Sequence, residues 1–125
     1  MSGAIKLVLS SMALLALAAC QRGADIEITH MKDGALKFSV TTNDDASPCI
    51  DFISVSEVTI RSPESFSEGS RIWSERAVCE HEFVFEQSQA ASSGLPVLVT
   101  GKTYIVQVSG AGIIGYRNFV YEGVQ

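Results

Sequence analysis

Cysteine and histidine are the reactive side chains of this sequence, which contains three of the first and two of the second. Cys79 stands two positions before His81, so both would lie on one face of an extended strand, where an imidazole can act as base for a thiol. A third group that would orient the imidazole is not identifiable, and Cys49 would have no role in such a site. His30 and His81 also lack the spacing that a zinc site requires. We therefore predict no catalytic residue, no metal and no cofactor.

Two pairs of carboxylates are further candidates. Asp44 and Asp45 stand in a polar stretch that suits weak calcium binding but lacks the spacing of an EF-hand loop. Glu80 and Glu82 are two positions apart, so a strand would carry both on one face, opposite Cys79, and this face is predicted to be solvated. A glycosidase needs two carboxylates at a fixed separation in a cleft, which spacing along the chain does not establish. We predict solvated carboxylates, with calcium binding at the aspartate pair as the alternative.

Residues 110–115 read Gly-Ala-Gly-Ile-Ile-Gly and match the G-x-G-x-x-G pattern of dinucleotide-binding turns. Such a turn also requires a following helix, a second parallel strand and an acidic residue about 20 positions later, whereas ten residues follow Gly115. We predict instead a flexible glycine-rich hairpin between the last two strands. Ile113 and Ile114 would be exposed on this loop, and they are the candidate contact residues for another protein.

The first 19 residues have the composition of an export signal, because a basic start with Lys6 is followed by an apolar run that ends in small residues. This run is too short to remain as a membrane span beside charged flanks. Leu17-Ala18-Ala19-Cys20 resembles the lipobox of bacterial lipoproteins. The resemblance implies cleavage before Cys20, a diacylglycerol on its thiol and an acyl chain on its amino group. Residues 1–19 would be the signal peptide and residues 20–24 a short lipidated tether.

The residue after the lipobox cysteine is Gln21, and the absence of Asp there favours the outer membrane in the lipoprotein family. With Cys20 assigned to lipid, Cys49 and Cys79 form an even remainder in an exported chain, which predicts one disulfide. Closing a loop of about 31 residues would restrict the unfolded chain by roughly 3.5–4 kcal/mol. A structural disulfide in turn favours the oxidising periplasm of a double-membraned bacterium as the compartment.

The mature chain is acidic. After residue 19 it carries 8 Lys and Arg against 14 Asp and Glu, a formal charge of −6. Binding to phosphate backbones requires clustered Lys and Arg, so this balance excludes nucleic acid as a partner. A length of about 100 residues is enough for one domain with a modest core, and residues 25–125 are predicted to form it.

Short apolar–polar alternations separated by turn residues fill this domain, and they predict strands rather than helices. The predicted strands cover residues 25–30, 35–41, 49–61, 71–78, 79–87, 102–109 and 116–121. Asp33-Gly34 predicts a hairpin turn, and a change of phase between Val55 and Val58 predicts a bulge. Seven or so strands in this length predict an all-β antiparallel sandwich.

Residues 98–106, Leu-Val-Thr-Gly-Lys-Thr-Tyr-Ile-Val, resemble the Leu-x-x-Gly-x-x-Tyr-x-Val stretch of fibronectin type III and related immunoglobulin-like domains. The resemblance implies that Tyr104 begins the sixth strand as a tyrosine corner, its hydroxyl bonded back to the backbone. Leu98 would be its packing partner and Gly101 the turn. The tryptophan that these domains carry early in the chain is missing, and Trp73 is expected in the core. The fold expected is an immunoglobulin-like, fibronectin type III-like β-sandwich.

Taken together, these features resemble the small lipoproteins of proteobacteria. They predict a non-enzymatic protein attached through lipid on Cys20 to the outer membrane, on its periplasmic face. The expected role is to bind another envelope protein through loops or an edge strand. The alternative is an inhibitor of lysozyme or of a protease, because an acidic face can meet a cationic enzyme.

Overall fold

The computed structural model describes residues 22–62 and 65–125, so the predicted signal segment and Cys20 lie outside the described residues. The strands are β1 (Arg22–Gly23), β2 (Asp25–His30), β3 (Leu36–Thr41), β4 (Ile50–Ser62), β5 (Ser65–Glu80), β6 (Glu82–Phe85), β7 (Thr103–Gly110) and β8 (Ile113–Val120). A six-residue helix, α1 (Gln87–Ser92), lies between β6 and β7. Within the described ranges no helix combines the length and the apolar composition needed to cross a bilayer.

The strands form two sheets in an immunoglobulin-like arrangement. One sheet has the order β2-β3-β6, and the other has the order β5-β4-β7-β8 with the short β1 beside β8. All pairings are antiparallel except that of β1 with β8. The chain therefore crosses from one sheet to the other after β1, β3, β5 and β6. The predicted fold, an all-β sandwich of about seven strands, is confirmed.

The core lies between the sheets, and strand alternation decides which side chains enter it. The predicted inward residues of two strands are buried, namely Leu36, Phe38 and Val40 on β3 and Tyr104, Val106 and Val108 on β7. The predicted β2–β3 hairpin is also present, and its turn uses Gly34 at a φ of +88°. The predicted bulge is found on β4, where the register against β5 shifts on both sides of Ser56.

Several boundaries differ from the prediction. β5 begins at Ser65 instead of residue 71. The reason is that β4 and β5 remain paired as a long hairpin beyond Glu57, the last residue of β4 that pairs with β7. Residues 87–92 form α1 instead of the end of a strand and the start of a loop. The predicted glycine-rich hairpin between the last two strands is present, but its turn consists of residues 111–112 alone. The predicted exposure of Ile113 is therefore wrong, since Ile113 starts β8 and packs into the core, whereas Ile114 is 43% exposed.

Cys49 and Cys79 form the predicted disulfide, which joins the residue before β4 to the end of β5. Because its sulfur is in this bond, Cys79 has no thiol for His81 to activate. Cys79 has a φ of +56°, so the backbone leaves strand geometry there as the chain turns towards the other sheet. Alternation is therefore interrupted at this point: Phe83 and Phe85 are buried, whereas Cys79, at even spacing from them, is exposed.

The segment before β7 has the geometry of a tyrosine corner. The Val99 N–H donates a hydrogen bond of 2.7 Å to the Tyr104 hydroxyl. Leu98 is buried beneath this bond, and Gly101 turns the chain at a φ of +84°. The Gln87 side chain holds Leu98 in place, because its amide donates to the Leu98 carbonyl at 2.6 Å and its oxygen accepts from the Leu98 N–H at 2.9 Å. These bonds fix α1 against the start of β7.

Tyr121 makes the free energy of unfolding decrease at alkaline pH. Its buried hydroxyl donates to the Gly34 carbonyl at 2.6 Å. Burial raises the pKa of Tyr121 above its ordinary value of 10.0, and the Asp33 and Tyr104 charges add to the effect. As the pH rises, Tyr121 therefore loses its proton at a lower pH in the unfolded chain than in the folded chain. The contribution of Tyr121 is therefore complete below about pH 10 and is lost as the pH rises through the folded-state pKa.

We expect the free energy of unfolding, measured in urea between about pH 8 and about pH 11, to fall more steeply in the wild type than in Tyr121→Phe. Tyr116 is 70% exposed, so Tyr116→Phe is the matched control and should keep the wild-type slope. Equal slopes in all three chains would contradict the assignment.

Candidate functional site: a groove between two edge strands

An open groove lies on one side of the sandwich, where β5 and β6 are the edge strands of opposite sheets. We call it the β5–β6 groove and define it by residues 73–80 of β5, residues 82–86 around β6, and residues 89–95 at the end of α1. It consists of two hollows of about 270 and about 420 Å³, and both are lined by Glu75 and Val84. The groove exists because β5 and β6 face each other without a strand between them.

The floor of the groove is aromatic. The Trp73 ring stacks on Phe38 with centroids 6.2 Å apart and meets Phe85 edge-on at 5.5 Å. Phe38 and Phe85 are buried, so two core residues hold the indole in place while part of it stays accessible from the groove. Val84 and Leu95 add exposed apolar side chains beside it. A partner can therefore bury apolar surface here.

The rim of the groove is acidic. Glu75, Glu80, Glu82 and Glu86 line it and are exposed. The Glu82 carboxylate lies 3.5 Å from the Lys37 ammonium. Among the residues that the structure describes, no cation lies within salt-bridge distance of the other three carboxylates. The one cation of the rim, Arg76, lies over the Phe52 ring with its guanidinium carbon 5.8 Å from the centroid. The groove therefore favours cationic groups.

Glu75 has a special position on β5. It stands between Trp73 and Ala77, which both pack against the core, so strand alternation puts it on the face that looks towards the other sheet. A charge on the inward face of an edge strand discourages indiscriminate pairing with other strands. The same charge also selects among partners, because a carboxylate on the ligand would meet it at close range.

The main chain of β6 offers a free edge. The Val40 N–H donates to the His81 carbonyl at 2.9 Å, and the register then makes Phe38–Phe83 and Leu36–Phe85 the hydrogen-bonded pairs with β3. The intervening residues, Glu82 and Val84, therefore direct their N–H and C=O groups away from β3. In the described chain β6 has a strand neighbour on one side only, so these groups face the groove edge.

The structure places the sequence-predicted site residues elsewhere, with one exception. Ile113 and Ile114 lie on β8, three strands away from β5 in the sheet order. Asp44 accepts from the Thr42 hydroxyl at 3.0 Å, and Asp45 accepts from the Ser47 N–H at 2.8 Å, so both brace their own loop. Among the described residues no three metal-ligating side chains come together. The disulfide closes one end of the domain.

The exception is the pair Glu80 and Glu82. The prediction of a shared strand face is wrong, because Glu80 ends β5 in one sheet and Glu82 begins β6 in the other. Both nevertheless lie on the groove rim. Trp73, predicted in the core, is only partly buried and forms the floor. The sequence contains a signal for the groove, because Glu75 follows the single tryptophan, Trp73, by two positions. In a strand this spacing puts a carboxylate on the same face as the indole.

No protein-family model matches this chain, and no curated protein matches it either.

Proposed function

We propose that this chain is a non-enzymatic protein-binding module of the bacterial cell envelope, anchored through lipid on Cys20 and docking its partner in the β5–β6 groove. The observation that carries the proposal is the groove itself. It combines an accessible aromatic floor, exposed Val84 and Leu95, and a free strand edge, which are the features of sites that bind protein segments. The chain is proposed to reside at the outer membrane, on the periplasmic side.

The position of β1 supports this arrangement. β1 begins two residues after Cys20 and pairs with Ile113 and Ile114, at the end of the sandwich that also carries the disulfide. α1 and Leu95 lie at the opposite end, because β6 runs away from the disulfide towards α1. A domain held by Cys20 would thus have the groove running from near the lipid surface outward. The tether from Cys20 to Arg22 would span at most about 7 Å.

Photo-crosslinking tests the binding role. Leu95, which is 57% exposed in the groove, is replaced by benzoyl-phenylalanine in the cells that make the protein. Val120 is 51% exposed on β8 and serves as the matched control position. We expect a light-dependent adduct with an envelope protein from position 95 and none from position 120. Absence of the adduct, or equal adducts at both positions, would contradict a binding role for the groove.

Membrane attachment is tested by Cys20→Ser. We expect this change to move the protein from the membrane fraction to the soluble periplasmic fraction, because serine offers no thiol for the lipid. Each buried CH₂ contributes about 0.8 kcal/mol to anchoring, so loss of the chains removes the attachment. Fractionation with immunoblotting measures the outcome. The variant with serine at both Cys49 and Cys79 should stay on membranes, and a membrane-bound Cys20→Ser protein would refute the anchor.

The acidic rim also favours a second candidate, an inhibitor that covers a cationic enzyme. The formal charge of the chain is −5, and three rim carboxylates lack a cation partner among the described residues. Lysozyme provides the test, since its activity on cell walls is followed by the clearing of a suspension. Slower clearing with excess purified protein, reversed by salt, would support inhibition. Unchanged clearing would remove lysozyme as a target.

A further inference from the structure

We infer that the β5–β6 groove takes a basic segment of its partner in an extended conformation, which adds as a strand to the free edge of β6. This inference rests on the proposed binding function and names the chemistry of the bound segment. Three observations lead to it: the outward main-chain groups of β6, the accessible indole of Trp73, and the carboxylates of the rim that have no cation partner in the described chain.

The main chain of β6 determines how a bound segment is oriented. Glu82 and Val84 present their N–H and C=O groups along the groove, at the spacing that a neighbouring strand would pair with. β6 is four residues long, so an added strand gains few hydrogen bonds. Main-chain pairing therefore sets the orientation of the segment, and side chains must provide the rest of the affinity.

The side chains of the groove select the residues of the bound segment. Residues of an added strand alternate between the two faces of the extended sheet. Those on the inner face would lie over Trp73 and Ala90, which favours an apolar side chain. Those on the outer face would lie on the same side as Glu82 and Glu86, which favours lysine or arginine, and Glu75 adds a carboxylate beside the inner face. A segment that alternates basic and apolar residues satisfies both requirements.

The acidic rim disfavours a second copy of this chain as the occupant. If the β6 strands of two copies paired with each other, Glu82 and Glu86 of one copy would approach the same carboxylates of the other. Like charges opposite each other across a strand pair are destabilising. The rim thus disfavours self-pairing and favours a partner of opposite charge.

The binding test uses the purified lipidated protein in detergent micelles and an eight-residue peptide of alternating lysine and valine with blocked ends. Trp73 is the only tryptophan of the chain, so its fluorescence reports directly on the groove. We expect the peptide to shift the Trp73 emission in a saturable way and to bind at least about tenfold more tightly than its glutamate–valine counterpart, with the difference reduced by salt. Equal binding of both peptides, or no shift, would overturn the inference.

Strand addition is separated from charge attraction by Val84→Pro. Proline removes the Val84 N–H, which faces the groove, and leaves the bonds between β6 and β3 intact. We expect the lysine–valine peptide to bind about tenfold more weakly to this variant, with thermal unfolding close to that of the wild type. Val84→Thr also changes this side chain but retains the N–H, so it should bind more tightly than Val84→Pro. Unchanged affinity in Val84→Pro would overturn strand addition.

Hydrogen exchange followed by NMR keeps the inference testable if Val84→Pro fails to fold. In the wild-type protein the peptide should slow exchange of the Glu82 and Val84 amides, because these donors would gain acceptors, while the Phe83 amide, already paired with β3, should change little. If the peptide slowed amide exchange as much in β8 as in β6, or in β8 alone, the inference would be overturned.

The charge requirement is tested by neutralising two rim carboxylates, Glu75→Gln and Glu86→Gln. We expect a loss of about fivefold in affinity for the lysine–valine peptide. The control is the double variant Glu27→Gln and Glu122→Gln, which has the same net charge but is changed at exposed residues outside the groove. It should bind the peptide within about twofold of the wild type. Equal effects of the two double variants would overturn recognition by the rim.

The two levels of the proposal fail in different ways. If the Leu95 crosslink to an envelope protein persists at full strength in Val84→Pro, the binding function stands and strand addition is wrong. If position 95 gives no crosslink in cells, the binding function itself is wrong, whatever the synthetic peptide does.

Discussion

Replacing Cys49 and Cys79 together by serine is expected to lower the free energy of unfolding by about 3.7 kcal/mol. The disulfide closes a loop with a sequence separation of 30 residues, which includes the whole β4–β5 hairpin. Without it the unfolded chain gains conformational freedom, whereas the folded chain loses little packing, since both cysteines are exposed. A domain of this size has a stability of only about 5–15 kcal/mol, so the change is large.

Urea denaturation of the oxidised wild type, the reduced wild type and the double serine variant measures this effect. The two chains without the bond should unfold at the same, lower denaturant concentration. Serine at Cys20 is the matched control and should leave the midpoint unchanged. A loss below about 1 kcal/mol in both chains would show that the bond does not restrict the unfolded state as expected.

Phe38→Ala is expected to cost about 3–5 kcal/mol, because it leaves a cavity at the centre of the core. Phe38 is fully buried on the central strand of its sheet, and its ring contacts Trp73 and Phe119 with centroid distances of 6.2 and 5.9 Å. No neighbouring side chain can fill the space without leaving its own contacts. Tyr116→Ala, on an exposed position of β8, should change stability by less than about 0.5 kcal/mol.

The same change should reach the groove, since Phe38 is one of the two rings that hold Trp73. We expect the Trp73 emission of folded Phe38→Ala to shift to longer wavelength as the indole gains contact with water. Phe38→Leu retains most of the volume and should give a smaller shift and a loss below about 1.5 kcal/mol. A cavity-forming variant with unchanged emission would mean that the floor of the groove is supported independently of the core.

The sequence predicts the fold well where local alternation and turn chemistry agree. β3 has uninterrupted alternation, with Leu36, Phe38 and Val40 buried, and Gly34 provides the turn that pairs β2 with β3. The local sequence therefore predicts both which side chains enter the core and the register of the two strands. The stretch before Tyr104 likewise places its hydroxyl on the Val99 N–H. In these places each residue is constrained by its immediate neighbours.

The prediction fails where tertiary pairing overrides local pattern. Glycine enrichment at 110–115 indicates a loop, but Gly110 and Gly115 belong to β7 and β8, and pairing between the strands leaves only two turn residues. At Cys79 the left-handed backbone turns the chain into the other sheet, which no alternation reveals. The groove depends on the meeting of β5 and β6 across the sandwich, and that proximity is a property of the packed sheets.

The position of the tether has a mechanical consequence. Chain leaving β1 enters β2, which shares a three-stranded sheet with β3 and β6. If lipid holds Cys20 and a partner holds the edge of β6, tension between them passes through β2, β3 and β6, roughly along the strand axes. The hydrogen bonds of both strand pairs are then loaded in parallel and must rupture together, as in shear. The sheet that presents the partner would thus also transmit force to the membrane.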